Sequence, residues 1–122
     1  MFVIKALEDE VRAVIMLNSY TAKNIQMIKE CIAEAHSYYQ ADCVEMLISN
    51  FDLSDVELFS LMDTVKSLKQ KRGFLFSTTA TDSLSDNTAM LFFMGDLGCR
   101  TATEGAKFTF SSWKDTNIGF MN

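Results

Sequence analysis

Short apolar segments alternate with longer amphipathic segments along this 122-residue chain, and this alternation is the feature that most constrains its fold. Residues 2–8 and 11–18 are rich in β-branched and apolar side chains and predict an opening hairpin. Residues 43–48 and 74–79 predict two further strands. Strands that are separated by helices pair in parallel through right-handed crossovers. The pattern therefore predicts an α/β protein.

Two helices are predicted between these strands. Apolar residues recur at helical spacing over residues 21–38, which predicts the first helix. Ser54 and Glu57 have the spacing of a capping box, in which a hydroxyl and a carboxylate each bind an exposed backbone N–H group. The second helix is therefore predicted to begin there and to stop before Gly73.

A third helix is predicted to begin at Asp82 or Ser83 and to run through Met94, closed by Gly95. Its last six residues, 89–94, are all apolar, so we expect it to lie in the core or against another subunit. Residues 99–102 and 107–110 predict the closing strands. The predicted order is ββαβαβαββ, in a single domain over residues 1–122.

Composition excludes several classes of protein. With 48% hydrophobic and 22% charged residues the chain is typical of globular proteins, and no apolar run approaches the roughly 20 residues that cross a bilayer. Because it also lacks a signal-peptide pattern, we expect a cytoplasmic protein without membrane contact. A net charge of −5 repels phosphate backbones, so nucleic acid is not expected as a partner.

The three cysteines predict no cofactor chemistry. Cys31, Cys43 and Cys99 are odd in number and lack CxxC spacing, which argues against a disulfide framework or a zinc ribbon. We expect small buried thiols, and no cofactor is predicted.

Several segments resemble the ClpP/crotonase superfamily. Residues 11–18 are similar to the enoyl-CoA hydratase strand that ends in "LN", and residues 43–50 to the ClpP strand that leads into a glycine-rich loop. Residues 77–90 correspond to the ClpP serine elbow, and residues 95–110 resemble the stretch "GD…R.A…A.F" that follows the buried helix. The resemblance implies a spiral of β-strands with crossover helices, and assembly into rings or trimers.

The resemblance also places the expected active site, and the residues found there differ from those of the family. Residues 50–54 replace the paired glycines of the ClpP oxyanion loop. The position of the nucleophilic serine falls on Asp86, with Ser83 and Ser85 as neighbours, and that of the histidine falls on Ser111. The expected cleft is lined by Asn50, Phe51, Asp52, Ser54, Asp55, Thr81, Asp82 and Ser111.

A catalytic relay lacks its base in this sequence. The only histidine, His36, lies on the first predicted helix among core positions, so a packed or solvated role is expected. A serine nucleophile needs a base within about 3 Å of its hydroxyl. Hydratase chemistry is also disfavoured, because residues 81–90 contain neither glycine nor glutamate.

Aspartates stand at the predicted starts of the second and third helices, where family members bind an anion. Their carboxylates would cap the helices by accepting hydrogen bonds from the exposed N–H groups, which is the interpretation we favour. The alternative is a site for Mg²⁺ or Ca²⁺ built from four carboxylates. Its ligands would be Asp52, Asp55, Asp82 and Asp86.

Three functions remain open at this stage. The first is a non-catalytic ClpP/crotonase-like protein, a pseudoenzyme, that acts through homo-oligomerisation or a protein partner. The second is an enzyme, either a serine hydrolase or peptidase that uses Ser83 or Ser85, or an acyl-CoA enzyme that relies on Asp86. The third follows from a resemblance of the element order to STAS domains, regulators in which phosphorylation of Ser54 would act as a switch.

Overall fold

The computed structural model describes residues 2–6, 11–37, 41–72 and 75–111. In this part of the chain, three helices pack on one face of a five-stranded sheet, and a two-stranded sheet lies beside them. The elements follow in the order β1 (Phe2–Ala6), β2 (Val11–Leu17), a 3-10 helix (Thr21–Asn24), α1 (Ile25–Ser37), β3 (Cys43–Ile48), α2 (Asp55–Arg72), β4 (Leu75–Ala80), β5 (Leu84–Ser85), α3 (Asp86–Phe92), β6 (Arg100–Ala102) and β7 (Phe108–Thr109).

The main sheet has the strand order β1-β2-β3-β4-β6. β1 pairs with β2 in antiparallel fashion, which confirms the opening hairpin, and the other pairings are parallel. Because successive crossovers of the same hand advance in one direction across the sheet, α1 and α2 lie on the same face. The α/β prediction is therefore confirmed, with a mostly parallel sheet.

Alternate residues of the central strands form the floor of the hydrophobic core. Ile15 lies opposite Met46, and Met46 lies opposite Thr78, and the side chains of all three are fully buried. The helix layer covers them with residues that include Leu58 and Leu61 of α2. Side chains alternate between the two faces of a sheet along each strand. These alternate residues face the helices, and the residues between them face the other side of the sheet.

That other surface, which we call the open sheet face, carries no helix among the described elements. Glu45 lies at its centre, where its carboxylate binds the Arg12 guanidinium at 3.4 Å and accepts a 3.0 Å hydrogen bond from the Thr79 hydroxyl. Met16 and Leu75 are 55% and 47% exposed. By register the open sheet face comprises Arg12, Val14, Met16, Cys43, Glu45, Leu47, Leu75, Ser77 and Thr79, of which Cys43 and Ser77 are buried.

The first two predicted helices are found with small changes at their ends. The predicted helix over residues 21–38 divides into the 3-10 helix and α1, and its last predicted residue lies outside the described residues. The capping box of α2 is confirmed: the Glu57 N–H donates to Ser54 Oγ at 3.2 Å, and the Ser54 N–H donates to Glu57 Oε1 at 3.1 Å.

The prediction for the third helix was wrong at both ends. α3 begins at Asp86 because Leu84 and Ser85 pair with β7, which adds a short strand to the predicted order. It ends at Phe92, and a turn follows. Ala89, Leu91 and Phe92 are buried within this chain, so of the two environments expected for the helix the core is the observed one.

The Gly95–Asp96 pair joins the end of α3 to β4 and α2. The Asp96 carboxylate accepts a 2.7 Å hydrogen bond from the Phe76 N–H and an ion-paired bond from Lys69 Nζ, and the Asp96 N–H donates to the Phe76 carbonyl at 2.8 Å. Burial alone would raise the pKa of Asp96. The bonds from Lys69 and Phe76, with the charge of Arg100, outweigh it and lower the pKa.

No disulfide joins the three cysteines; Cys31 and Cys43 are buried and Cys99 is half-buried. Burial raises the pKa of the Cys31 thiol, so this side chain is held in its unreactive neutral form. Among the described residues, no helix has both the length and the apolar character needed to cross a membrane.

We expect Gly95→Ala to destabilise the protein by about 1–3 kcal/mol through overpacking. A Cβ at this position would overlap Thr78 Oγ1, which is fixed by its 2.7 Å bond to the Phe92 carbonyl. The backbone at Gly95 is not left-handed, so the overlap is the cause rather than backbone strain. Urea unfolding measures the effect.

A double-mutant cycle with Thr78→Ala supplies the control. Removing Oγ1 costs stability by itself, because the Phe92 carbonyl loses one of its two donors and keeps the Gly95 N–H. It also relieves the overlap, so the double variant should lose clearly less than the two single losses combined. If the two losses of stability were strictly additive, the overlap of a Cβ at position 95 with Thr78 Oγ1 would not be the cause of the destabilisation.

Candidate functional site

The loops that follow β3 and β4 meet at the carboxyl edge of the main sheet. This edge is where ligands bind in open α/β sheets, because the strands direct their connecting loops to the same side. The loops enclose a polar cleft of about 280 Å³. Its lining consists of Asn50, Phe51, Asp52, Leu53, Ser85, Asp86 and Asn87.

Asn50 is the centre of the hydrogen-bond network that fixes the cleft. Its Oδ1 atom accepts bonds from the Ser85 N–H at 3.0 Å, from the Ser85 hydroxyl at 3.2 Å and from the Thr88 hydroxyl at 3.0 Å. The Asn50 N–H donates to Asp82 Oδ1 at 3.2 Å. One side chain therefore joins the loop after β3 to the start of α3.

A second tie runs between the starts of the two helices. Asn87 Nδ2 donates to the Leu53 carbonyl at 2.8 Å and to Asp55 Oδ1 at 2.7 Å. The two donors of a single amide are thus shared between the loop before α2 and the first residue of α2. The cleft is closed on this side by bonds within the chain.

Asp86 occupies a sharp strand-to-helix turn. Ser85 before it is extended, with φ −136° and ψ 148°, whereas Asp86 has φ +54°. Aspartate tolerates this left-handed conformation better than most residues, yet it costs about 1–2 kcal/mol relative to the right-handed region. Strain of this kind is found where surrounding structure imposes a backbone shape, and here the Asn50 bonds to Ser85 impose it.

Ser111 is brought to Asp86 by the small sheet. β5 and β7 pair in parallel, and the Leu84 N–H donates to the Lys107 carbonyl at 2.9 Å. Two residues beyond β7, the Ser111 hydroxyl lies 3.1 Å from one Asp86 carboxylate oxygen and 3.4 Å from the other. Phe108 of β7 stacks on Phe92 of α3, with ring centroids 4.7 Å apart, which holds β7 against the helix.

The hydroxyl groups considered as nucleophiles have structural partners. Ser83 Oγ accepts a 2.9 Å bond from the Lys107 N–H, and the Ser85 hydroxyl lies 3.2 Å from Asn50 Oδ1. The Thr81 hydroxyl donates to the Ile48 carbonyl at 3.0 Å. Each of these bonds fastens a loop, and none of them joins a hydroxyl to a base.

His36 lies far from this cleft along the fold. It is the residue before the last of α1, which runs from the carboxyl end of β2 back to the amino end of β3. Its backbone is therefore at the opposite edge of the sheet from the cleft, which agrees with the expectation that it is not a catalytic base.

The prediction that the aspartates cap the helices was wrong in detail. Ser54 caps α2, and Ser85, at the start of α3, makes no side-chain cap bond. Asp82 accepts from the Asn50 N–H and Asp55 accepts from Asn87. Within the described ranges, which include Asp52, Asp55, Asp82 and Asp86, no three His, Cys, Asp or Glu side chains lie close enough together to hold a metal ion.

Sequence reasoning missed Asn87 and Thr88, which connect the cleft. The sequence contains a signal for both residues, because short polar side chains at the start of a helix often bind neighbouring backbone groups. Leu53, whose carbonyl accepts from Asn87, has no such signal because only its backbone takes part.

We expect Asn50→Ala to lower the free energy of unfolding by about 1–3 kcal/mol, because the Ser85 N–H loses its acceptor, whereas the Thr88 hydroxyl keeps the Ser85 carbonyl. Asp52→Ala is the matched control: it is an exposed residue of the same loop, and its change should stay within about 0.5 kcal/mol. Chemical denaturation compares the two variants. If both variants lost the same free energy of unfolding, the substitution of any residue in this loop, rather than the loss of Asn50 Oδ1, would be the cause.

Asp86 and Ser111 are the two positions on which the ClpP resemblance places the nucleophile and the histidine. They are separated by 24 residues in the chain, and the fold joins them by a hydrogen bond. Neither has the side chain of the ClpP relay.

No protein-family model matches this chain, and no curated protein matches it.

Proposed function

We propose that this protein is a ClpP/crotonase-like domain whose catalytic site is silent, and that it acts through homo-oligomerisation or through a protein partner. The observation that carries the proposal is the contact between Asp86 and Ser111 at the strained elbow. A turn from strand to helix with the central residue strained and presented at a cleft is the backbone shape that holds a serine nucleophile in hydrolases. Here that shape holds a carboxylate.

The side chains at the elbow do not support acyl transfer. A relay needs an imidazole that accepts a proton from the nucleophile and returns it to the leaving group. At this elbow a hydroxyl donates to a carboxylate, and the hydroxyl of Ser111 has no imidazole in contact with it among the described residues. The pair therefore lacks the imidazole of a serine relay.

The charge of the cleft also argues against acyl transfer. A developing oxyanion is stabilised by donors aimed at the position where negative charge appears. The cleft instead presents the carboxylates of Asp52 and Asp86, and the amide donors of Asn87 are bound to Leu53 and Asp55. Negative charge in the substrate would meet negative charge in the protein.

The spiral arrangement of the family is part of this proposal. Its support comes from β5 and β7, because the chain leaves the main sheet after β4 and forms a second pair of parallel strands beside α3. Such a departure is what a spiral with a second strand layer requires.

The alternative functions have weaker support. A serine hydrolase would rely on Ser83 or Ser85, whose hydroxyls bind Lys107 and Asn50, and an acyl-CoA enzyme would rely on the hydrogen-bonded Asp86. A STAS-like switch would use Ser54, which is exposed but serves as the cap of α2. Phosphorylation there would replace an existing cap rather than fill a vacant one.

A fluorophosphonate probe tests the silent site. We expect no labelling of the wild-type protein, and labelling of the double variant Asp86→Ser with Ser111→His, because the elbow then carries a hydroxyl beside an imidazole. Each single substitution is the matched control and should remain unlabelled. Labelling of the wild-type protein that is lost in Ser83→Ala or Ser85→Ala would establish the hydrolase instead.

Static light scattering tests the assembly. We expect the wild-type protein to exceed the mass of one chain, 13.8 kDa, at micromolar concentration and to approach it on dilution. A strict monomer across that range would remove homo-oligomerisation from the proposal and leave a different protein as the partner.

A further inference from the structure

We draw no further inference here: the strongest candidate, the exposed apolar patch of Val56 and Phe59 on the outer side of α2, carries none because nothing in the described part of the chain shows what covers it.

Discussion

The Asp96 carboxylate is the point on which the rest of the site depends. It receives Lys69 from α2 and the Phe76 N–H from β4, and the backbone of the same residue ends the turn after α3. Three elements are therefore fixed at one group, and Gly95 permits the approach because a larger residue would overlap Thr78. The bonds lower the pKa of Asp96, so the ionised form stabilises the fold at pH values above the pKa of the unfolded chain, and this contribution is lost as the pH falls through the lower pKa of the folded state.

Fixing the end of α3 also fixes its beginning. α3 has only seven residues and is buried along most of its length, so its first residue cannot shift without disturbing the core. Asn50 holds that beginning from the other side through Ser85 and Thr88, and β7 holds it through β5. The left-handed conformation of Asp86 persists because these bonds act on both of its neighbouring segments.

The sequence was sufficient for the elements whose signals are local. The capping box of Ser54 and Glu57 and the strand Cys43–Ile48 both follow from short-range chemistry. The start of α3 was misplaced because Leu84 and Ser85 become a strand only through β7, more than 20 residues later. Of the residues that the resemblance placed in the cleft, Asn50, Phe51 and Asp52 line the cleft of the structure, whereas Ser54, Asp55, Thr81, Asp82 and Ser111 are not part of its lining. The pairing of Asp86 with Ser111 depends on the same long-range contact.

Where the hydrogen-bonding groups already have partners, binding a ligand exchanges one bond for another and gains little free energy. This describes much of the cleft, in which Asn50, Asn87 and Asp86 are bound to groups of the same chain. Exposed apolar side chains are in the opposite situation, because each gains free energy when a partner removes it from water. In the described part of the chain such side chains include Met16 of β2, Phe59 of α2 and Leu97. The bonds of the cleft therefore stabilise the fold, whereas a partner that covered exposed apolar side chains would gain free energy.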